Sequence, residues 1–419
     1  MRLPENRADL QQRSINLALS VRGLSALQGA GLNLDQEMLD IAIPMKGRMI
    51  HDFAGNQTSQ LYSVFGKTIN SVDRALLNAK LLTAAEQFSN LKIFFNHALK
   101  TCDLDVPSAT FLDKTTGQEV TDYADLIVGA DGAYSTCRRQ LMRKARINFA
   151  QEYIDHGYCE LTIPARRGAD GQPEYQMSPY HLHIWPRHTF MLIALPNPDK
   201  TFTCTLFMPY DQFEQLQTEA HLLSFFSQYF PNAIPLIGRD QLVKQYFTNE
   251  KGTLLSVKCS PYHYQDRLVI IGDAAHCMVP FYGQGMNCGF EDVEVLAGIL
   301  DRHTALGAAS NVGAALAEYS AVRHRDAVAI CELAMRNYIE MRSSVSDWRY
   351  LLRKRIEDRL HHWFPRTVIP LYTMVSFTKI PYHLTIAQHD RQTRWLNRGM
   401  LLSATLALIG IYSALRRLK

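Results

Sequence analysis

The stretch from Arg267 to Leu296, RLVIIGDAAHCMVPFYGQGMNCGFEDVEVL, restricts the possible folds of this chain more than any other. Its apolar start is typical of a buried strand and ends in Gly272-Asp273, and Gly283–Asn287 then opens an amphipathic run with helical spacing. Open α/β sheets bind ligands beyond the carboxyl ends of such strands. An acid there accepts hydrogen bonds from ligand hydroxyls, and a helix N-terminus suits negative charge. A tight turn without a ligand is the alternative for the Gly-Asp pair alone.

A second strand-to-helix turn of this kind lies earlier, in DLIVGADGAYSTCRR, from Asp125 to Arg139. The strand ends in Gly129-Ala130-Asp131-Gly132, and Ser135 and two arginines follow at a predicted helix start. Asp-Gly turns are common, so this stretch is weak evidence by itself. Its weight comes from its combination with the longer and more specific first stretch.

Composition narrows the class of protein. The 419 residues are 47% hydrophobic and 20% charged, which is ordinary for a globular chain with two or more domains. A net charge of +4, without a long basic run or a zinc-finger spacing, argues against a nucleic-acid partner. The eight cysteines are scattered and form no C-x-x-C pair, so we predict reduced and mostly buried thiols.

The order of predicted elements indicates one domain inserted into another. Helices are predicted at Arg13–Leu27 and Ala75–Phe88, and a strand at Leu91–Leu99. Between about Glu152 and Val257, aromatic and β-branched runs broken by Pro and Gly predict antiparallel strands of a separate sheet. From about Glu318 to Arg359 the pattern is helical. The sequence therefore predicts a β domain inserted into a nucleotide-binding α/β domain.

The last part of the chain contains GMLLSATLALIGIYSAL, Gly399 to Leu415, which is 17 residues without a charge. Arginines precede and follow it, as lipid headgroups would favour. The length is at the short edge for a membrane-spanning helix. We predict a membrane anchor that contacts lipid; a buried terminal helix is the alternative.

Taken together, the two turns resemble the fingerprints of the FAD-dependent aromatic hydroxylases, the class A flavoprotein monooxygenases. Further blocks resemble the branch of that family whose members hydroxylate the ring of L-kynurenine, and the resemblance runs from about Arg13 to the apolar tail. These blocks lie in the same order as in the family: RSINLALSVRG, IPMKGRMIH, HGYCELTIP, LHIWPR, FTCTLFMP, PNAIPLIG, GQGMNCGFED, NYIEMR and IPLYTMVSF. The resemblance implies FAD and NADPH as cofactors, O2 and L-kynurenine as substrates, and a place on the mitochondrial outer membrane with the catalytic part facing the cytosol.

The resemblance also implies site residues, at those positions of this sequence that match the family's motifs. The expected substrate contacts are Arg48 for the carboxylate, then Tyr62, Asn337 and Tyr372, with Phe207 and Phe281 beside the aniline ring. The expected cofactor contacts are Ala18, Arg74, Leu99, Asp131, Asp273, Met286 and Asn287. No catalytic side chain or metal is implied, since the cofactor supplies the chemistry. We expect His276 to be a structural hydrogen-bonding residue rather than a general base.

The sequence departs from the family at its start. Family members begin with a βαβ unit that carries G-x-G-x-x-G and an acid, which hold the pyrophosphate and ribose of FAD. No such unit precedes Arg13, and Gly29-Ala30-Gly31 follows a predicted helix rather than a strand. We favour an N-terminally incomplete sequence of a normal enzyme. A short isoform that binds FAD weakly is the other explanation.

The predicted fold is α/β: an FAD-binding, Rossmann-like parallel sheet that is N-terminally truncated, an inserted and mostly antiparallel β substrate domain, and a C-terminal helical region. Two functions besides kynurenine hydroxylation stay open. One is an inactive or flavin-poor membrane-tethered isoform, and the other is a sister hydroxylase of another aromatic amine. The predicted bounds are 1–45, 70–150 and 257–320 for the FAD-binding domain, 46–69 and 151–256 for the substrate domain, 321–398 for the helical region and 399–415 for the anchor helix.

Overall fold

The computed structural model describes residues 16–304 and 311–417, with the backbone alone at 346, 400–404, 406–415 and 417. The strands are β1 (Leu17–Leu19), β2 (Ile43–Met45), β3 (Gly47–His51), β4 (Gln57–Leu61), β5 (Ile69–Val72), β6 (His97–Asp103), β7 (Ser108–Asp113), β8 (Glu119–Tyr123), β9 (Ile127–Gly129), β10 (Asn148–Ile163), β11 (Arg166–Arg167), β12 (Pro173–Glu174), β13 (His181–Arg187), β14 (Phe190–Pro196), β15 (Phe202–Pro209), β16 (Lys251–Ser260), β17 (His263–Tyr264) and β18 (Leu268–Ile270).

Helices alternate with these strands in the first two thirds of the chain and replace them in the last third. They are α1 (Val21–Gly29), α2 (Leu34–Ile41), α3 (Arg74–Ala85), α4 (Thr136–Lys144), α5 (Tyr210–Gln215), α6 (Glu219–Tyr229), α7 (Ile234–Ile237), α8 (Arg239–Thr248), α9 (Asp273–His276), α10 (Gly285–Thr304), α11 (Val312–Arg342), α12 (Trp348–Trp363), α13 (Leu371–Phe377) and α14 (Tyr382–Arg417). Single 3₁₀ turns lie at Pro280–Tyr282 and Ser344–Ser346.

Each of the two glycine-acid turns follows a strand, as the sequence predicts, and the structure makes these two strands parallel neighbours. In the β9–β18 ladder Leu268 lies opposite Ile127 and Ile270 lies opposite Gly129. Strand β18 is fully buried, and β17 pairs with its other edge. Because β9 and β18 are parallel, both turns follow the carboxyl ends of their strands on the same side of the sheet. Among the described strands β9 has β18 as its one neighbour, and its Val128 is exposed, which makes it an apolar sheet edge.

Two local assignments from the sequence are wrong. The described part of Arg13–Leu27 is a strand, β1, before it is a helix, because Leu17 pairs opposite Val72 of β5 and this pairing overrides the helical spacing. Residues 13–15 lie outside the described residues. In Leu91–Leu99, residues 91–96 form no strand. Asn96 has a φ of 61°, a left-handed conformation that breaks an extended run, and β6 starts at the next residue. The helix predicted at Ala75–Phe88 is confirmed as α3.

Seven strands form the large sheet, in the order β16-β10-β15-β14-β13-β3-β4. The antiparallel ladders predicted between about Glu152 and Val257 are confirmed in β10, β13, β14, β15 and β16. Strand β3 joins them by a parallel ladder in which Gly47 lies opposite His181. This pairing carries Arg48, which comes from a distant part of the sequence, onto the large sheet. The domain bounds stay predictions.

Each face of the large sheet is covered by helices. Cys159, Leu161 and Leu192 point to one face and pack against Leu222 and Phe226 of α6. Residues of the opposite face belong to a second core with α11, which includes Ile193, Phe207, Ala334 and Tyr338. All eight cysteines are free and buried, as the sequence predicts. The face toward α11 is therefore where the candidate substrate residues converge.

The last third of the chain is helical, as predicted for Glu318–Arg359. Helix α14 runs from Tyr382 to Arg417 and so includes the predicted anchor, Gly399–Leu415, most of whose side chains lie outside the described residues. Across the described parts of the chain, no helix combines the length and the apolar character that a membrane span requires.

Candidate active site

The Gly272-Asp273 turn is held in place from behind by a buried carboxylate. Gly272 has a φ of 58° and a ψ of −142°, a conformation that favours glycine. Oδ2 of Asp292 accepts hydrogen bonds from the Gly272 N–H (2.8 Å) and from Nε2 of His276 (2.6 Å). Asp273 itself is exposed, and its carboxylate makes no hydrogen bond or ion pair with any described residue. The turn thus presents an available acceptor to a ligand.

Asp292 belongs to a chain of buried ion pairs across three helices. Arg323 of α11 donates from Nε to Asp292 (2.8 Å) and from Nη1 to Glu291 (3.0 Å), and Glu291 also pairs with Arg22 of α1. Burial alone would lower the pKa of His276, but the Asp292 carboxylate outweighs it and raises that pKa well above its usual value. His276 is thus held by Asp292 within the buried ion-pair network, which is the kind of structural hydrogen-bonding position expected from the sequence.

Three expected cofactor residues meet at the start of α10. Asn287 is fully buried; its Oδ1 accepts from the Ser20 N–H (2.8 Å), and its Nδ2 donates to the Ala18 carbonyl (2.7 Å). Gly283 has a φ of 63°, and a Cβ there would lie 2.9 Å from the Ala18 Cβ. Met286 packs partly buried against the core around β1. Ala18, Met286 and Asn287 are thus brought together, and the amide of Asn287 serves the fold.

The other expected cofactor residues have different surroundings. Arg74 is exposed at the first position of α3 and makes no hydrogen bond or ion pair with any described residue. The Asp131 carboxylate caps α4 by accepting from Ser135 Oγ (2.5 Å) and from the N–H groups of Thr136 (2.7 Å) and Cys137 (3.0 Å). Leu99 lies in the separate sheet of β6, β7 and β8, and it packs on the core around β18. Arg74 is thus available to a ligand, whereas the Asp131 side chain is already used.

A residue that the sequence analysis did not select joins the two turns. Arg138 donates from Nη1 to the carbonyl of Ala274 (2.7 Å), one residue after Asp273. It donates from Nη2 to the carbonyl of Ala133 (2.5 Å), just after the Asp-Gly turn. The sequence shows that Arg138 lies in the Asp-Gly stretch, but it gives no sign that Arg138 contacts the Ala274 carbonyl in the other turn.

The predicted substrate residues form one buried cluster. Arg48 on β3 donates from Nη1 to Oε1 of Glu340 (2.6 Å) and from Nη2 to Oδ1 of Asn337 (3.0 Å), both on α11. Its Nε has no partner among the described residues. Burial opposes the charge of Arg48, but Glu340 outweighs it, so the pKa of the guanidinium is raised. Arg48 is thus a permanent cation with unused donor capacity.

Aromatic rings enclose this cluster. Tyr62 stacks on Tyr372 with ring centres 4.6 Å apart, and the Arg48 guanidinium lies 5.2 Å from the Tyr372 ring. Phe207 meets Phe281 edge-on at 4.9 Å. The Asn337 amide donates to the Phe281 carbonyl (2.6 Å) and so links the polar and the aromatic parts. The structure therefore brings together all six predicted substrate residues.

Three further residues of the cluster were missed from the sequence. Glu340 lies three residues after Asn337, which places both on one face of α11, and this spacing could have found it. Tyr350 donates its hydroxyl to Glu340 (2.9 Å), and Tyr282 stacks on Tyr372 at 5.7 Å. No spacing signal identifies Tyr282 or Tyr350, because they reach the cluster from separate segments.

The family model for the FAD binding domain matches residues 5–334 of this chain. Kynurenine 3-monooxygenase of Drosophila willistoni is 46% identical over 393 residues, which covers 94% of this chain and 84% of the relative. The chain belongs to the kynurenine 3-monooxygenase family. Kynurenine 3-monooxygenase of Sus scrofa is 43% identical and is matched over 97% of this chain and 84% of its own length.

Solved structures share the family's fold at low sequence identity. The tetrameric form of 2-methyl-3-hydroxypyridine-5-carboxylic acid oxygenase has a TM-score of 0.60 at 20% identity, over 78% of this chain and 82% of that one. PqsL of P. aeruginosa, in complex with 2-aminobenzoylacetate, has a TM-score of 0.59 at 18% identity, over 79% and 87%. These structures show the mixed α/β fold, and the FAD binding domain together with the family membership makes this chain a flavoprotein hydroxylase.

Proposed function

We propose that this chain hydroxylates L-kynurenine to 3-hydroxykynurenine, with FAD, O2 and NADPH as the reductant. The observation that carries the proposal is the buried Arg48, which is paired with the half-buried Glu340 beside Asn337 and lies next to stacked aromatic rings. Membership of the kynurenine 3-monooxygenase family supports the same reaction.

The charge pattern of the pocket fits the head of an α-amino acid. A guanidinium binds a carboxylate with two parallel donors, and the Nε of Arg48 has no hydrogen-bond partner among the described residues. Glu340 supplies a carboxylate beside it, which complements an ammonium group. The carboxylate of an α-amino acid can bind Arg48 while its ammonium group binds Glu340. A simple phenol offers a charged partner to neither residue.

The aromatic part of the pocket fits the ring of kynurenine. Phe207 and Phe281 are buried and belong to one core with Tyr62 and Tyr338. Such walls exclude water and fix the ring plane, so that the carbon beside the ring amine meets the oxidant. These residues orient the substrate. None of them has to accept or donate a proton.

The residues at the two turns fit FAD. The Asp273 carboxylate is available to hydroxyl groups of the ribityl chain, and Arg74, which has no ion-pair partner among the described residues, is a cation for the pyrophosphate. Gly283 permits close approach at the start of α10. Bound FAD would supply the activation of O2 for insertion into the ring. Asp292 and Arg138 hold the two turns that would cradle it.

The first test is the FAD content of the purified chain, combined with NADPH oxidation in the presence and absence of L-kynurenine. We expect bound FAD, faster oxidation with kynurenine, and formation of the 3-hydroxy product. A chain that lacks FAD would favour the flavin-poor isoform. Faster oxidation with another aniline but not with kynurenine would favour the sister hydroxylase.

A variant pair tests the substrate pocket. Arg48→Met removes the carboxylate partner and should raise the KM for kynurenine at least about a hundredfold, because two charge-assisted hydrogen bonds are lost. The matched control, Arg146→Met, removes an exposed arginine of the other domain and should leave KM unchanged. Equal KM values for the two variants would contradict the pocket assignment.

We further propose that the stretch Gly399–Leu415 anchors the protein in the mitochondrial outer membrane, with the catalytic part facing the cytosol. Its 17 uncharged residues and flanking arginines support this. Cell fractionation of a chain cut before Trp395 tests it. We expect most of the membrane association to be lost, and full retention in the membrane pellet would contradict the anchor.

A further inference from the structure

One side of helix α12 carries an exposed stripe that nothing in the described structure covers. Trp348, Leu352, Arg355, Arg359 and Trp363 are all exposed and follow one another at steps of four, three, four and four residues. That spacing places them along a single line on the helix surface. We refer to these five residues as the α12 stripe.

The α12 stripe is unusual in its chemistry. Trp348 is 66% exposed and Trp363 is 67% exposed, whereas Trp185 is in the core. Arg355 and Arg359 make no ion pair with any described residue. Two other basic residues of the same helix are paired, Arg353 with Glu357 at 2.8 Å and Lys354 with Asp358 at 3.8 Å. The stripe thus combines uncompensated cations with indole rings at the surface.

The region around the α12 stripe, residues 342–398, is basic, whereas residues 1–341 are slightly acidic. Residues 342–398 contain 11 Lys and Arg but 4 Asp and Glu, a net charge of +7. Residues 1–341 contain 30 Lys and Arg and 36 Asp and Glu, a net charge of −6. Such an asymmetry favours an acidic partner for the helical region alone.

The helix next to the α12 stripe leads into the uncharged tail. Arg353 of α12 donates to Thr393 Oγ1 of α14 at 2.8 Å. Two residues later Trp395 is 75% exposed, and Arg391, Arg394 and Arg398 are exposed on the same helix. Helix α14 then continues without a break through Gly399–Leu415. A bilayer that holds this tail would therefore lie close to α12.

We propose that the α12 stripe docks on the surface of an anionic phospholipid bilayer, with α12 parallel to the membrane. The indoles of Trp348 and Trp363 would sit at headgroup depth, where tryptophan is favoured, and Arg355 and Arg359 would contact lipid phosphates. The docking rests on the membrane association proposed above and does not depend on the hydroxylation reaction.

The experiment uses the full chain, with Trp395→Phe, in vesicles that contain brominated lipid as a quencher of tryptophan fluorescence. One set of vesicles is pure phosphatidylcholine, and the other contains about 30% phosphatidylserine, enough to give a negative surface potential. Trp185 is buried and serves as the unquenched reference. We expect strong quenching of the stripe tryptophans in the anionic vesicles and weak quenching in the neutral ones.

Two variants of equal charge change decide the outcome. The double variant Arg355→Glu, Arg359→Glu reverses the charge of the stripe. It should weaken the binding to anionic vesicles, as reported by tryptophan quenching, at least about tenfold. Arg146→Glu with Arg167→Glu reverses two exposed arginines elsewhere and should leave it unchanged. The proposal is overturned if the tryptophans of the two double variants are quenched to the same degree, or if neutral and anionic vesicles quench the stripe tryptophans equally. It is also overturned if the chain floats with the vesicles while the stripe tryptophans stay unquenched. FAD content and NADPH oxidation in the same samples report separately on the proposed reaction.

Discussion

A pair of buried histidines in the large sheet should make the fold sensitive to mild acid. His183 donates from Nε2 to the Ser178 carbonyl (2.8 Å), and in the neutral ring its Nδ1 accepts from Nε2 of His51 (2.9 Å), so this bond is lost when both rings are protonated. Burial, followed by the proximity of His183, lowers the pKa of His51 to about 3. Burial lowers the pKa of His183 to about 4.

The sign of the effect follows from proton binding. Below pH ~6.5, the pKa of an unfolded histidine, the unfolded chain binds more protons than the folded one, so the free energy of unfolding falls with pH. The stability from the pair is present above that pH and is lost as the pH falls toward 4. At roughly 1.4 kcal/mol per ring and pH unit, the two rings should lower the free energy of unfolding by about 2 to 4 kcal/mol between pH 6.5 and 5.

The assay is urea unfolding at pH 7 and pH 5, followed by the fluorescence of Trp185, whose ring stacks 3.9 Å from His51. Other groups titrate in this window; burial raises the pKa of Glu160 to about 7, which acts in the opposite direction. The observable is therefore the difference from the double variant His51→Gln, His183→Gln, which should lose the pH-dependent part. The exposed His221→Gln is the control. The reasoning is refuted if wild type and double variant lose the same free energy between the two pH values.

Three further predictions concern the site. Glu340→Gln should raise the KM for kynurenine about tenfold to a hundredfold in steady-state assays and leave FAD content unchanged, because a charge-assisted contact to the ammonium group is lost. Asp292→Asn should lower the free energy of unfolding by about 3 to 5 kcal/mol in urea titrations and weaken FAD binding, since it leaves buried cations unpaired and loosens Gly272. Gly283→Ala should weaken FAD binding in fluorescence titrations at an unfolding loss of about 1 to 3 kcal/mol, because of its positive φ and the contact with Ala18. Unchanged KM, unfolding midpoint or FAD affinity, respectively, would contradict them.

The parts of the structure that sequence predicts well are those in which a local pattern dictates the geometry. An apolar run that ends in glycine and acid indicates both the strand and its turn, so β9, β18 and the turns that follow them were predictable. The substrate residues were predictable through the family blocks. In those blocks Arg48, Asn337 and Tyr372 lie far apart in sequence, and the fold brings them together.

The parts that sequence predicts poorly depend on contacts between distant segments. Leu17 and Leu19 fit a helical period, yet pairing with β5 makes them a strand. Asp131 carries a cofactor signature, yet its oxygens cap a helix. Glu340 was missed because an acid on a long charged helix is ordinary until Arg48 is seen opposite it. Local propensity cannot settle these cases, since the deciding partner is elsewhere.

Helix α11 contributes one residue to the support of the cofactor turn and another to the substrate pocket. Arg323 near its start holds the carboxylate that fixes the Gly272 turn, and Asn337 near its end binds Arg48. The two positions are 14 residues apart, about 21 Å along one continuous helix. This continuous helical segment sets the distance between the Gly272 turn and the part of the pocket proposed to bind the amino-acid head of the substrate. Insertion or deletion of a single residue between Arg323 and Asn337 would therefore move Asn337 by about 1.5 Å along the helix axis and rotate it by roughly 100° relative to Arg323. This segment should thus tolerate substitutions far better than changes of length.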